Sequence, residues 1–349
     1  MTKGVIKAKD FLKVALLSAK SFPTPFVKEG KINTQMQIVR DKKLFQEFCA
    51  AEAQLPIFVQ PWYLDAVCEG GEWQAILVVE EGRPIAALPF FMKKKGFLRY
   101  ITMPHFVKYM GPYLNAAYQT EKNSQHYYQE LIKHLPQVLS FKQNFHPDCT
   151  NWLPFYWQGF QQTTRYTHRI DLTAGLDAVY SNINRNMRRN ISKAEKTVKL
   201  EKNNDPDLFF QINSMSFQRQ GIAPPYSKSL FLKHDAALAD HQARQIFFAK
   251  DQAGQIHSAA YLIWDKQAAY YHLSGDDPAL RESGSGIFLI WAAIQYAVEE
   301  LRVSLFDFEG SMLPKIAAIR QQFGAYQQPY FGIWKYNATW LRWLEALKG

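Results

Sequence analysis

The feature that most constrains this chain is one ordered run of elements in its second half. Residues 244–250, 255–264 and 267–274 read as strands. Asp251-Gln252-Ala253-Gly254 and Asp265-Lys266 supply the turns between them, so the three form an antiparallel meander. A helix follows over 285–301, where Ile287, Ile290, Trp291, Ile294 and Val298 recur at three- and four-residue spacing and make one apolar stripe. The chain then reads as strand (303–308), helix (313–323), strand (329–336) and closing helix (340–347). The order is β-β-β-α-β-α-β. Helices between the later strands imply a mixed sheet of the α/β (α+β mixed) class.

The first half is less regular. Short strands are expected over 37–39, 74–80 and 84–92, and helices over 44–53, 61–68 and 122–139. Pro84 and Pro89 put the third strand near an edge or a bulge. The pattern turns Pro-, Trp- and Gln-rich around 148–163. Beyond it come a strand over 167–172 and helices over 176–198, 207–220 and 229–239, the last two parted by Ala223-Pro224-Pro225. A chain of 349 residues exceeds one ordinary core. The expected organisation is a basic, partly disordered arm (1–35), one domain over 36–165 and a second over 166–349. A faint echo of strand–Gly–strand around Gly82 and Gly254 points to duplication.

The net charge is +10, but seven lysines against Asp10 and Glu29 place +5 of it in residues 1–35. The remainder is mildly basic, and general DNA binding is not expected. Cys49, Cys68 and Cys149 are odd in number and lack metal-type spacing. Reduced thiols in the cytoplasm are the expectation. No apolar run reaches the length of a membrane-spanning helix. The histidines are scattered, and no metal cluster or Ser-His-Asp order is visible. Aromatic groups such as Tyr156-Trp157 could line a sugar or lipid site, although core packing explains most of them.

The sharpest chemical signal is Arg281-Glu282-Ser283-Gly284-Ser285-Gly286, between the strand over 267–274 and the helix over 285–301. A glycine turn at a helix start lets backbone approach a phosphate, and the free amides and dipole of the first turn hold its charge. Arg281 could add a bidentate contact. A simple tight turn is the competing explanation. Arg185, Arg188, Arg189, Lys193 and Lys196 lie at offsets 0, 3, 4, 8 and 11 and share one helix face. That face fits a nucleotide diphosphate or tRNA, or else plain solvent. Arg219 and Tyr226 flank the Pro-Pro break, where an arginine can clamp a phosphate or carboxylate. Asp307 and Glu309 are two apart on a strand end. Asp307 is a candidate general base, and Glu309 a candidate turn cap.

The Arg-x-x-Gly-x-Gly segment resembles the pyrophosphate-binding loop of GNAT acyltransferases. The basic segment 185–196, Ser216-Phe217-Gln218-Arg219-Gln220-Gly221 with Tyr226, Ala269–Gly275, Phe306-Asp307-Phe308-Glu309-Gly310 and Phe323-Gly324 are similar to the FemAB-like branch. The resemblance spans 36–349 as two tandem GNAT-like halves, the first without a glycine loop. Ile319-Arg320 departs from it where a Phe-Lys segment is usual. It implies an acyltransferase. Acyl-CoA is the expected co-substrate, gripped by Arg281, Gly284, Ser285 and Gly286, with aminoacyl-tRNA as the alternative donor. The acceptor would be an amine of a small molecule, a sugar or a cell-envelope (peptidoglycan) precursor, bound with help from Arg185, Arg189, Arg219 and Tyr226. Tyr271 faces the cleft in this reading, His272 is packed away, and Tyr271 or Asp307 handles the proton. A degenerate pair that binds a precursor without catalysis remains the non-enzymatic alternative.

Overall fold

The computed structural model describes residues 36–310 and 312–338. The arm (1–35) and the closing helix (340–347) lie outside the described residues. The first half begins with β1 (Gln37–Arg40) and α1 (Lys42–Ala51), whose N-cap Asp41 accepts the amides of Lys43 and Leu44. After α2 (Pro61–Val67) come β2 (Gly71–Glu80), β3 (Arg83–Lys95), β4 (Leu98–Thr102) and the two-residue β5 (Tyr113–Leu114). Next are α3 (Glu121–Lys133), β6 (Ser140–Asn144), α4 (Leu153–Trp157) and β7 (Gln161–Asp171). The second half holds α5 (Leu176–Asn182), α6 (Arg185–Thr197), β8 (Lys199–Lys202), α7 (Pro206–Gln218), α8 (Lys228–Asp240), β9 (Arg244–Lys250), β10 (Ile256–Trp264) and β11 (Ala268–Asp276). It ends with α9 (Ser285–Tyr296), β12 (Leu305–Asp307), α10 (Pro314–Gln322) and β13 (Tyr326–Tyr336).

All the described strands join one mixed sheet in the order 1-2-3-4-6-13-7-12-11-10-9-8, with β5 added beside β3. Strand β13 lies between β6 and β7 and pairs antiparallel with both. The last described strand of the chain thereby ties the first half to the second. Position 165/166 falls inside β7, which runs unbroken from one half into the other.

The sheet is buried on both faces. One face, called inner below, carries a core shared by the halves. Phe45, Phe58, Tyr63 and Leu64 from the first half pack there with Phe209, Phe231, Tyr261 and Tyr270 from the second. The outer face carries two separate cores. Helices α3 and α4 cover the first half, and α5, α6 and α9 cover the second.

Several expectations meet a different local structure for physical reasons. Strand β3 is internal, yet Pro84 sits at a register shift opposite Val78/Val79. Pro89 falls in the gap where neither β4 nor β5 pairs, so its missing N–H breaks no ladder. The single helix expected over 176–198 is two helices, because the Asn184 side chain caps α6 by accepting the Asn186 amide. Strands β4 and β6 were not anticipated.

Candidate active site

Strands β11 and β12 run parallel and pair at Ala268–Leu305, Ala269–Phe306 and Tyr270–Asp307. There the ladder stops. Strand β11 continues along β10 to Asp276, while the chain after β12 turns toward β7, where Phe308 N–H donates to the His168 carbonyl at 2.9 Å. The two strands therefore splay. Just past the splay, β11 carries a bulge. Tyr261 opposes Leu273 and Leu262 opposes Tyr271, leaving His272 as the extra residue. A bulge bends a strand and re-aims a side chain.

His272 faces the inner side, among Phe58, Phe106, His234 and Tyr261. Its Nδ1 lies 2.6 Å from Glu309 Oε1, across the splay. Its Nε2 is buried with no partner among the described residues. Glu309 has a positive φ of 56°, strained for a residue with a side chain. Gly310 follows at φ 76°, and a Cβ there would lie 2.5 Å from the Tyr166 carbonyl oxygen. Only glycine permits that approach. His234 Nε2 lies 3.0 Å from the Tyr63 hydroxyl, which donates to the Phe106 carbonyl. Burial, and the neighbouring His272, hold the pKa of His234 well below the usual imidazole range. Burial pushes the Tyr63 phenol up, with the Glu309 carboxylate adding to the effect.

Asp307 is fully buried. Its carboxylate accepts Thr167 Oγ1 at 2.5 Å, Arg169 Nε at 2.9 Å and the Glu309 amide at 2.7 Å. These contacts occupy it as an anchor and leave no vacancy for a substrate proton. It is Asp307, not Glu309, that caps the turn. Tyr271 points to the outer face and packs on Phe306 and Phe308, with the Arg320 guanidinium 5.3 Å from its ring centre. Burial raises its phenol to about 12. Residues 271 and 272 do face opposite sides, and His272 is packed as expected, its side chain 2% exposed within the core shared by the halves.

The glycine turn is built as a helix start. Gly284 is the left-handed N-cap of α9, at φ 72°. The Ser285 amide donates to Ser283 Oγ at 3.3 Å, and the Gly284 carbonyl takes the amides of Ile287 and Phe288. A Cβ built at Gly286 would meet nothing within 4 Å, so the first turn opens to solvent there. The Ser285 side chain is buried and unavailable to a ligand. Arg281 Nε pairs with Asp276 Oδ2 at the end of β11, which fixes the guanidinium beside the turn and partly neutralises it.

Helix α6 packs against α9, with Ala194 Cβ 3.9 Å from a Cβ built at Gly284. Its buried side is Met187, Ile191 and Ala194. Its opposite side brings Arg185, Arg188, Arg189, Lys193 and Lys196 together with Tyr180 around an open groove of 430 Å³. None of these five cations forms an ion pair among the described residues. Arg219 and Tyr226 are elsewhere, beside the inner face. Arg219 is exposed. Tyr226 is buried, its ring tilted against Phe106, and its hydroxyl donates to Asn213 Oδ1 at 2.8 Å. That bond and the burial make Tyr226 part of the shared core, not an open binding group.

Sequence reasoning missed His272 with Glu309, and the Thr167–Arg169 setting of Asp307. The one signal on offer was Glu309-Gly310, a pair that reads as a left-handed turn. Among the described residues no group of three His, Cys, Asp or Glu side chains is placed to hold a metal, and no helix is long and apolar enough to cross a membrane.

A family model described as "Acetyltransferase (GNAT) domain" matches residues 181–314, from the end of α5 to the start of α10. Residues 181–314 thus match a GNAT domain. The match holds the splay, the bulge, the glycine turn and α6. No curated protein matches in sequence. Among solved structures the fold is similar to FemX, with a TM-score of 0.63 at 13% identity over 84% of this chain and 96% of that one. It is also similar to a tandem GNAT protein from the clavulanic acid biosynthesis pathway (TM-score 0.53, 10% identity, 86% and 98% covered). L-PGS from Bacillus licheniformis is a further neighbour (TM-score 0.52, 11% identity, 86% and 93% covered). At these identities the likeness is one of fold, a mixed α/β sheet like those of FemX and of a tandem GNAT protein.

Proposed function

We propose that this protein is an N-acyltransferase that moves an acyl group from acyl-CoA to an amine on a small-molecule, sugar or cell-envelope precursor acceptor. The observation that carries the reading is the splay of β11 from β12 beside the open N-terminus of α9. A helix start binds phosphate through its free amides and dipole. A splayed parallel pair exposes backbone amides that stabilise the oxyanion of a thioester under attack. Donor phosphates at Gly284 and Gly286, flanked by Arg281, would leave the acyl group reaching into the splay from the outer face, past Tyr271. The acceptor would come from the inner face, along the seam with the first half. With three unpaired cysteines, two of them buried, we place the reaction in a reducing, cytoplasmic compartment.

The test is titration of the full chain with acetyl-CoA. Gly286→Trp is the sharper blocking variant, because position 286 has open space and an ordinary φ. Micromolar binding that Gly286→Trp abolishes supports the reading; binding unchanged by that variant refutes it.

A second donor has one observation in its favour. The five cations of α6, none in an ion pair among the described residues, line one open groove on the side of α6 away from α9. A charged tRNA would use them all. Filter binding of aminoacyl-tRNA, with its salt slope, separates this donor from acyl-CoA. Both donors belong in the first screen.

A further inference from the structure

We propose that His272 is the general base of the acyl-transfer step and that Glu309 orients it. The proposal rests on the acyltransferase reading above. Three independent observations converge on this one side chain. His272 is the extra residue of the β11 bulge, placed at the point where the strands part. Glu309 Oε1, 2.6 Å away, accepts a hydrogen bond from Nδ1–H. That contact sets the tautomer and leaves Nε2 with its lone pair free. Nε2 is buried and has no partner among the described residues. Leaving a buried polar atom unsatisfied is unfavourable. The cost is explained if the missing partner is the acceptor amine.

The backbone around Glu309 supports the same assignment. Asp307 accepts the Glu309 amide, and Gly310 presses on β7, so Glu309 is held at a φ its side chain disfavours. Strain of this kind collects where a functional geometry must be fixed. Asp307 is therefore a positioning residue, and so is Glu309. The titratable neighbours of the imidazole on the inner face are Glu309, His234 and Tyr261, with Tyr63 behind His234.

The step balances without an oxidant or reductant. An acceptor ammonium gives one proton to Nε2, and its freed lone pair attacks the thioester carbonyl. The C–N bond forms and the C–S bond breaks. The nitrogen, cationic after attack, loses its second proton to water, and the leaving thiolate takes one from the imidazolium, directly or through Tyr271, which the imidazolium's proton then restores by way of water.

The experiment compares two small amines as acceptors for acetyl-CoA. Ethanolamine is an ammonium at neutral pH and needs a base; hydroxylamine is largely unprotonated and does not. His272→Asn keeps a donor toward Glu309 and removes the base. It should lower transfer to ethanolamine by about 10²–10⁴-fold, with hydroxylamine transfer within a few-fold of the parent and acetyl-CoA affinity unchanged. His272→Ala should regain part of the ethanolamine rate with added imidazole. Equal transfer to ethanolamine in parent and His272→Asn overturns the role of His272 alone. So does an equal loss with both amines and no imidazole rescue, since a structural defect does not tell amines apart. Absence of transfer to either amine by the parent protein, or of acetyl-CoA binding, overturns the acyltransferase reading and this proposal with it.

Discussion

Replacing Asp307 by Asn tests how the site is held. The carboxylate is fully buried and takes Thr167, Arg169 and the Glu309 amide. Asn keeps the shape but removes the charge and turns one acceptor into a donor. Arg169, itself 6% exposed, would be left with Asp148 at 3.7 Å as its acidic partner. Breaking a buried pair from one side costs about 3–5 kcal/mol, because it strands the other charge. Whole-protein stability is about 5–15 kcal/mol, so this is a large fraction. With a urea slope of about 2–3 kcal/mol/M, the midpoint should fall by about 1–2 M. The double variant Asp307→Asn with Arg169→Met removes both charges and should recover most of the loss. Acetyl-CoA affinity should stay near the parent value, since the carboxylate faces away from the glycine turn. Urea denaturation followed by fluorescence reads all three proteins. A loss under about 1 kcal/mol for the single variant, or no recovery in the double, would refute the argument that the pair is a strained anchor set by burial.

Two further outcomes follow from the charges. His146, His168 and His234 are all held below the usual imidazole range, in each case first by burial. Their folded pKa values lie under the unfolded ones, so the unfolded chain binds the extra protons. Stability should be complete above about pH 6.5 and fall as pH drops below it, by up to about 1.4 kcal/mol per pH unit for each histidine. Urea midpoints between pH 7.5 and 5 check this, and a flat profile counts against it. On α6, Arg185→Glu with Arg189→Glu changes two exposed cations that have no ion pair, so the melting temperature should hold. Polyanion binding should weaken, and the slope of log K against log salt should lose about 1.4–1.8, or about 0.7–0.9 for each phosphate released. An unchanged slope would mean that this face meets only solvent.

The second half was legible because its signals are local. Strand β9 occupies 244–250 as read, and β10 and β11 begin within a residue of expectation, because Gly254 and Asp265 punctuate alternating apolar runs. Gly284 marked the start of α9 for the same reason. The site was only half legible. Spacing put Asp307 and Glu309 on one side of a strand, but which of the two is buried depends on Thr167 and Arg169, 140 and 138 residues earlier. No local pattern carries that information. Residue alternation separated Tyr271 from His272 correctly. It could not say which face meets the first half, since that depends on β13 closing the sheet between β6 and β7.

The bulge on β11 explains why one strand can serve two faces. Before it, Tyr270 lies inward and Tyr271 outward. With strict alternation Leu273 and Gly275 would also lie outward. The extra residue reverses the parity. Leu273 packs on the inner core, and Gly275 faces α7 so closely that a Cβ would sit 2.4 Å from Asn213 Cα. Helix α7 can therefore close on β11 only because the strand has shifted by one residue at His272. The same shift brings Asp276 into reach of both Ser216 on α7 and Arg281 beside the glycine turn. A sheet is an impermeable wall wherever its ladder is complete. Groups on opposite faces can meet only where the ladder fails, and the inner-face helix, the glycine turn and the His272 imidazole are all registered from that one splay.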